Sequence, residues 1–223
     1  NEGCAMITEW VYQKCIDQLN KGKKVGLLGG DHSIAFGFIK ALAEKHENFG
    51  ILQIDAHCDL RKSYEGLDHS HGSIMYNVLN SFPNVTKLIQ LGIRDYCEAE
   101  WNYICDSEYR VITYLERGIR ERQFEGTTWA QLSDEIINQL PQNVYISYDI
   151  DGLDPKLCPH TGTPVPGGFE MEQLSYLFKK ILTSGRKIIG FDLSETGTSK
   201  NGWDENVGAR VLFKMCNLML SDN

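Results

Sequence analysis

Strand-like and helix-like segments alternate along the chain, and this alternation constrains the fold more than any other feature. β-rich runs are predicted at 24–28, 49–55, 85–93, 109–114, 144–151 and 186–193. Amphipathic helices are predicted at 10–19, 34–44, 129–140, 171–182 and 207–220. Because parallel strands need long crossover connections, this order predicts an α/β protein with a mainly parallel central sheet covered on both faces.

Composition excludes several function classes before any motif is considered. The formal net charge of −8 disfavours nucleic acid and anionic lipid as partners, and no apolar run is long enough to span a bilayer. Seven scattered cysteines without a Cys-x-x-Cys pair indicate reduced thiols, which predicts a cytoplasmic protein. No Pro-, Gly- and Ser-rich linker divides residues 1–223, so we expect one domain.

Potential metal ligands follow the second predicted strand. Asp55, His57 and Asp59 stand two residues apart, so in an extended chain their side chains share one face. Cys58 alternates to the opposite face, which predicts a packing role for its side chain. A solvated turn after a strand is the alternative interpretation of this run.

Two other strand ends carry similar residues. Asp149 and Asp151 follow the run 144–148 and share one face, where two buried carboxylates repel each other unless a cation separates them. His32 follows the first strand, just before Ser33, which is a candidate helix cap. Ligands of parallel α/β sheets bind beyond the carboxyl ends of the strands, so these residues are expected to point to one place.

Together the three strand ends offer four carboxylates and two imidazoles, from His32, Asp55, His57, Asp59, Asp149 and Asp151. Their formal charge of about −4 matches two divalent cations and is strongly self-repelling without them. Oxygen and imidazole ligands without a thiolate favour Mn²⁺ over a structural zinc site. Two metals about 3.5–4 Å apart turn a bridging water into hydroxide at neutral pH, which predicts a hydrolase.

These motifs resemble the signatures of the ureohydrolase family, which includes arginase, agmatinase, guanidino-acid ureohydrolases and formimidoylglutamase. The matching segments are 29–33, 55–59, 147–155, 71–72, 161–168 and 190–195, in the family's order. The resemblance extends from residue 24 to the C-terminus. It implies an arginase-like three-layer α/β/α fold, two Mn²⁺ per subunit and a homotrimer or homohexamer.

The resemblance also implies roles for individual residues. The six residues of the three strand ends would be the metal ligands, with Asp55 and Asp151 bridging the ions and Asp59 also counted as catalytic. His71 matches a histidine that contacts substrate and shuttles protons, with an exposed loop histidine as the alternative interpretation. Glu195 matches the carboxylate that holds the planar guanidinium of the substrate, with a capping acid as the alternative.

The implied reaction is manganese-dependent hydrolysis of a guanidino C–N bond by a metal-bridging hydroxide. Agmatine, hydrolysed to putrescine and urea, is the first candidate substrate, because segments 31–33 and 161–168 look most like agmatinases. A guanidino-acid ureohydrolase, an arginase and a formimidoylglutamase are the alternatives. Only 28 residues precede the first motif, fewer than in most family members, which predicts that an N-terminal portion with specificity determinants is missing.

Two basic residues test the competing interpretations. Arg61 follows the second motif, as it often does in formimidoylglutamases. We expect it to point outward and pair with Asp68 or Glu65, and the alternative is an inward position in which it attracts a substrate carboxylate. A di-metal phosphohydrolase would need a basic phosphate clamp, for which Arg61 and Arg94 are the candidates. A non-catalytic relative would be expected to have lost a ligand, and none is lost.

Overall fold

A computed structural model describes residues 2–221 and contains one six-stranded sheet. The strands are β1 (Gly26–Leu28), β2 (Phe49–Ile54), β3 (Val85–Ile93), β4 (Val111–Leu115), β5 (Asn143–Asp149) and β6 (Lys187–Ser194). Their order is β1-β6-β5-β2-β3-β4, and every neighbouring pair is parallel. The predicted parallel sheet is therefore confirmed, and β2 and β5 lie at its centre.

Helices cover both faces of the sheet. They are α1 (Glu2–Leu19), α2 (Ala35–Lys45), α3 (Ile74–Ser81), α4 (Glu98–Asp106), α5 (Glu116–Phe124), α6 (Trp129–Gln139), α7 (Met171–Thr183) and α8 (Trp203–Leu220). The first four pack on one face and the last four on the other, each set around its own apolar cluster. All six residues of β2 are buried because both faces are covered. The three-layer α/β/α arrangement is confirmed.

The predicted elements differ from the observed ones mainly at weakly patterned segments. Helices α3, α4 and α5 were not predicted; α5 fully buries only Ile119 and α4 only Glu100, so neither shows a wide apolar stripe. Helix α1 begins at Glu2, eight residues before the predicted start at Trp10, and β1 begins at Gly26, two residues after its predicted start. Among residues 2–221, no helix has both the length and the hydropathy needed to cross a bilayer.

Candidate metal centre

The carboxyl ends of β1, β2 and β5 meet, and the buried imidazole of His32 lies at their meeting point. Its Nδ1 atom is 3.2 Å from Asp55 Oδ2, 2.9 Å from Asp59 Oδ2 and 3.5 Å from Asp149 Oδ2. On the opposite side of the ring, Nε2 lies 2.7 Å from Ser147 Oγ. This second contact orients the ring so that Nδ1 faces the carboxylates.

A second histidine organises the remaining predicted ligands. His57 Nδ1 lies 3.0 Å from Asp151 Oδ2 and 3.5 Å from Asp55 Oδ1. Five of the six predicted ligands fall into two groups whose donor atoms lie within 4.8 Å of one another, His32–Asp55–Asp149 and Asp55–His57–Asp151. The sixth, Asp59, joins the cluster through its 2.9 Å contact with His32 Nδ1. Asp55 is in both groups, which suits a bridging carboxylate. Asp151 is in only one group, so its predicted bridging role stays a prediction.

The end of β2 is bent and held by its neighbours. The strand stops at Ile54, and Asp55 Oδ1 accepts a hydrogen bond from the His57 backbone N–H at 2.7 Å. Asp59 has φ +54°, a left-handed conformation that costs energy for a residue with a Cβ. The expected extended chain over 55–59 is therefore wrong. The backbone bends, and the surrounding contacts bring the carboxylate of Asp59 to His32.

The end of β5 is shorter, and its own residue Asp149 caps the turn that follows. Asp149 Oδ1 accepts from the Asp151 backbone N–H at 2.9 Å and opens a single 3-10 turn, Ile150–Gly152. Gly152 packs so closely on β2 that an added Cβ would lie 2.8 Å from the Asp55 backbone nitrogen. This close packing brings the two ligand-bearing strand ends together.

At the end of β1, Asp31 is the capping residue. Its carboxylate accepts from the Ser33 backbone N–H at 2.9 Å and opens the 3-10 turn His32–Ile34. The predicted cap at Ser33 is wrong, because α2 begins only after this turn and has no side-chain cap. The turn presents the His32 backbone N–H to Glu195 Oε1 at 3.0 Å.

The electrostatics of the cluster favour a bound cation. Burial and the charge of Asp55 raise the pKa of Asp59 to about 7, and burial with the charges of Asp151 and Asp55 raises the pKa of Asp149 well above its usual range. Burial alone would lower the pKa of His57, but the carboxylates of Asp151 and Asp55 raise it to about 11. Without metal, the cluster must therefore hold extra protons to limit the repulsion between its carboxylates.

One atom tests directly whether the residues fit metals. Nδ1 of His32 is buried and, among residues 2–221, has no hydrogen-bond partner of good geometry, although three carboxylates lie within 3.5 Å of it. A buried polar atom without a partner is costly, and a cation shared by the imidazole and the carboxylates removes that cost. The donor set, with two imidazoles and four carboxylates, fits two hard or borderline divalent ions.

A cavity of about 320 Å³ opens over the cluster, and Asp59, His71 and Glu195 all line it. His71 begins a 3-10 turn and packs edge-on against Tyr64, with ring centroids 5.4 Å apart. Glu195 has φ +60°, and burial raises the pKa of its carboxyl group. The Thr161 hydroxyl donates to the Glu195 carbonyl at 2.8 Å and fixes this strained turn at the cavity wall.

The two basic candidates have different roles. Arg61 also lines the cavity: its guanidinium lies 5.1 Å from the centre of the Tyr64 ring, and its Nε is 3.7 Å from Glu100 Oε2. The expectation that Arg61 points outward to Asp68 or Glu65 is therefore wrong, because the buried carboxylate of Glu100 draws it to the wall. Arg94 donates to four backbone carbonyls, including that of Asp151, so it fastens loops together and leaves no phosphate clamp there.

Cys58 behaves as predicted. Its side chain is fully buried in the apolar cluster under α2 and α3, and burial raises the pKa of its thiol. All seven cysteines are free, in agreement with reduced thiols.

A row of polar side chains beneath the candidate ligands, buried except at one edge, was missed by the sequence reasoning. The row contains Gln53, Gln90, Thr113, Ser147 and Asp192, one on each of five strands. A signal was available, because each is a polar residue inside an otherwise apolar run. The candidate ligands, in contrast, all lie at or after the ends of these runs.

The fold and the cluster together define a three-layer α/β/α protein with a candidate dinuclear metal centre. The chain belongs to the arginase family, whose family model matches residues 3–216. It is 31% identical over 204 residues to the N(1)-aminopropylagmatine ureohydrolase of Thermus thermophilus, covering 91% of this chain and 65% of that protein. It is 32% identical over 194 residues to the mitochondrial agmatinase of Gallus gallus, covering 84% of this chain and 54% of that protein.

Solved structures share the fold. The agmatine ureohydrolase of Thermoplasma volcanium superposes with a TM-score of 0.80 at 24% identity, covering 98% of this chain and 70% of that one. The chain spans less than two thirds of the length of the two relatives above.

Proposed function

We propose that this protein hydrolyses a guanidino C–N bond and releases urea, using two bound Mn²⁺ ions. One observation carries the proposal: two ligand groups share Asp55 beneath a cavity that also holds the carboxylate of Glu195. The names of the relatives, an aminopropylagmatine ureohydrolase and an agmatinase, support a guanidino substrate. The absence of thiolate from the donor set supports manganese.

The residues of the cavity have distinct tasks in this reaction. When bound, the pair of ions lowers the pKa of a water molecule and makes it nucleophilic at neutral pH. Glu195 pairs with the N–H donors of the guanidinium and holds its carbon over the ligand cluster. His71, on the cavity wall, moves a proton between solvent and the departing amine. Asp59 helps His32 and Asp149 to hold one of the ions.

The group at the end of the substrate opposite the guanidinium is either an ammonium or a carboxylate, and agmatine, which has an ammonium, is our first candidate. Arg61 is the basic residue on the wall, but Glu100 lies 3.7 Å from its Nε and Asp95 also lines the cavity, so the wall has no excess positive charge. An ammonium tail is therefore compatible with it. The presence of Arg61 at the wall also favours a second candidate, a guanidino acid whose carboxylate would pair with the guanidinium.

Urea release from a panel of guanidino compounds tests the proposal. Chain loaded with Mn²⁺ is incubated with agmatine, guanidinobutyrate, guanidinopropionate, arginine, guanidine and formiminoglutamate, and urea, formamide and ammonia are measured. We expect urea from agmatine first and from guanidinobutyrate second, and none after treatment with a chelator. Release of formamide from formiminoglutamate alone, or no turnover of any compound by chain that holds two metals, would contradict the proposal.

The remaining expectations concern context. Four expectations stay predictions: a small cationic guanidino substrate as partner, no nucleic-acid or membrane partner, a homotrimer or homohexamer, and a cytoplasmic location. Light scattering of the purified protein tests the assembly directly.

A further inference from the structure

The polar row lies at a single level of the sheet. Gln53 is in register with Gln90 on one side and with Ser147 on the other, and the register continues to Thr113 and Asp192. Side chains in register on parallel strands point to the same face. Four of the five residues are fully buried, and the exception is Thr113 at the edge. Polar groups in such a position are expensive unless every donor and acceptor has a partner.

Hydrogen bonds run along one side of the row towards the shared ligand. The Thr113 hydroxyl donates to Gln90 Oε1 at 2.7 Å, and Gln90 Nε2 donates to Gln53 Oε1 at 2.7 Å and to the Cys58 carbonyl at 2.7 Å. Gln53 Nε2 then donates to Asp55 Oδ2 at 2.8 Å. Each bond fixes the orientation of the next amide, so Gln53 must present its N–H₂ group, and not its oxygen, to Asp55.

The other side of the row acts on a different ligand. Ser147 Oγ lies 2.7 Å from His32 Nε2, and Asp192, 3.7 Å from that same nitrogen, accepts from the Tyr145 and Ser194 hydroxyls. His32 belongs to one ligand group, whereas Asp55 belongs to both. The two sides of the row therefore differ in how many metals they influence.

We propose that Gln53, oriented by Gln90 and Thr113, is a positioning residue that fixes the Asp55 carboxylate between the two metal positions. This rests on the proposed dinuclear centre but on no particular substrate. The donated hydrogen bond holds Oδ2 towards the His32 group, which leaves Oδ1 directed at His57, 3.5 Å from its Nδ1. Loss of that bond loosens the candidate ligand that the two groups share.

Metal titration of folded variants tests the proposal without any need for turnover. Gln53→Met keeps the volume but removes the donor, and we expect Mn²⁺ affinity at both sites to fall about 10–100-fold, the usual effect of losing a bond to a ligand. Thr113→Val is isosteric and acts through two further bonds, so it should weaken both sites by less. Ser147→Ala should weaken only the site of His32. Free Mn²⁺ is followed by electron paramagnetic resonance.

A buried hydroxyl far from the cluster provides the control. Ser133 is fully buried and donates to the Trp129 carbonyl within α6, so Ser133→Ala should lower the melting temperature without changing Mn²⁺ affinity. The proposal is overturned if Gln53→Met binds both ions as tightly as the wild type. If Gln53→Met does not fold, the same outcome for Thr113→Val overturns it. It is also overturned if Ser133→Ala weakens binding equally. Wild-type chain that binds two ions but releases no urea refutes the proposed function alone.

Discussion

The ends of β2 and β5 both carry carboxylates that are candidate metal ligands, but the two ends are built differently. Asp149 and Asp151 lie within one short turn that Asp149 itself caps. The β2 end spreads three ligands over five residues and includes a left-handed Asp59, whose carbonyl accepts from the Met75 backbone N–H at 3.0 Å. The short β5 motif is thus largely set by local geometry, whereas the β2 motif depends on tertiary contacts.

Glu100 shows how strongly the β2 end depends on its surroundings. Its buried carboxylate accepts from the Leu60 backbone N–H at 3.0 Å and from the Cys97 backbone N–H at 2.9 Å. It therefore ties the residue after Asp59 to the start of α4. Strain at Asp59 persists because such contacts over-determine the local backbone. The β5 end has no left-handed residue between Asn143 and Leu153.

The largest effect should come from removing the ligand that the two groups share. Asp55→Ala at the β2 end should abolish binding of both metals, whereas Asp151→Ala at the β5 end should leave about one, because Asp151 belongs only to the group of His57. Elemental analysis after Mn²⁺ loading distinguishes zero, one and two equivalents. Loss of both ions from Asp151→Ala would mean that Asp151 also bridges. The β2 and β5 ends would then each contribute a bridging carboxylate.

Removal of metal should destabilise the chain, and more so at higher pH. The pKa of the Asp59 carboxyl is about 7 in the folded protein and ordinarily 3.8, so the metal-free fold loses stability as pH rises from about 4 through 7. Bound metal opposes this loss, because it binds the deprotonated ligands; at 1,000 times its Kd it adds about 4 kcal/mol. The gap in melting temperature between loaded and chelated protein should therefore widen with pH.

Asp59→Asn is the matched variant for this experiment. An amide does not titrate, and Asn tolerates the left-handed conformation at this position. The metal-free variant should lose less stability than the wild type between pH 4 and 7. An equal decline in both proteins would show that other groups cause it.

The end of β6 also lies near the cavity but holds no predicted ligand, so a variant at Glu195 should separate substrate capture from metal binding. Glu195→Gln keeps an acceptor for the His32 backbone N–H, which now bonds Glu195 Oε1 at 3.0 Å, but removes the charge that pairs with a guanidinium. We expect kcat/KM to fall about 10–100-fold, as for loss of a charged hydrogen bond, with metal content unchanged. Loss of metal would instead make Glu195 part of the metal centre.

The comparison of strand ends also explains what the sequence could predict. The parallel sheet follows from residue periodicity, which acts over a few neighbours, and the convergence of the six candidate ligands follows from the parallel strand ends that carry them. The burial of Cys58 was predicted correctly, but from an extended backbone that the bend at Asp59 does not preserve. The bend at Asp59 and the inward position of Arg61 depend on Glu100, about forty residues away in the chain. The bonds from Gln90 to Gln53 depend on strand order, which the periodicity of one strand does not encode.

The smallest effect should come from replacing Arg61, and this variant distinguishes a substrate with an ammonium tail from one with a carboxylate tail. Arg61 is 38% exposed and already faces Glu100, so its field in the cavity is partly cancelled and screened by water. Arg61→Ala should leave kcat/KM for agmatine within a few-fold of the wild type, since an ammonium tail gains from the lost repulsion. Guanidinobutyrate should lose about tenfold, because its carboxylate loses a charge-assisted pair. Arg117 on α5, whose side chain is 88% exposed and pairs with Glu121, provides the control, and Arg117→Ala should change neither rate. Equal losses on both substrates would show that Arg61 acts only by holding Glu100 and the β2 end in place, and the tail would then have to be recognised by other residues of the wall.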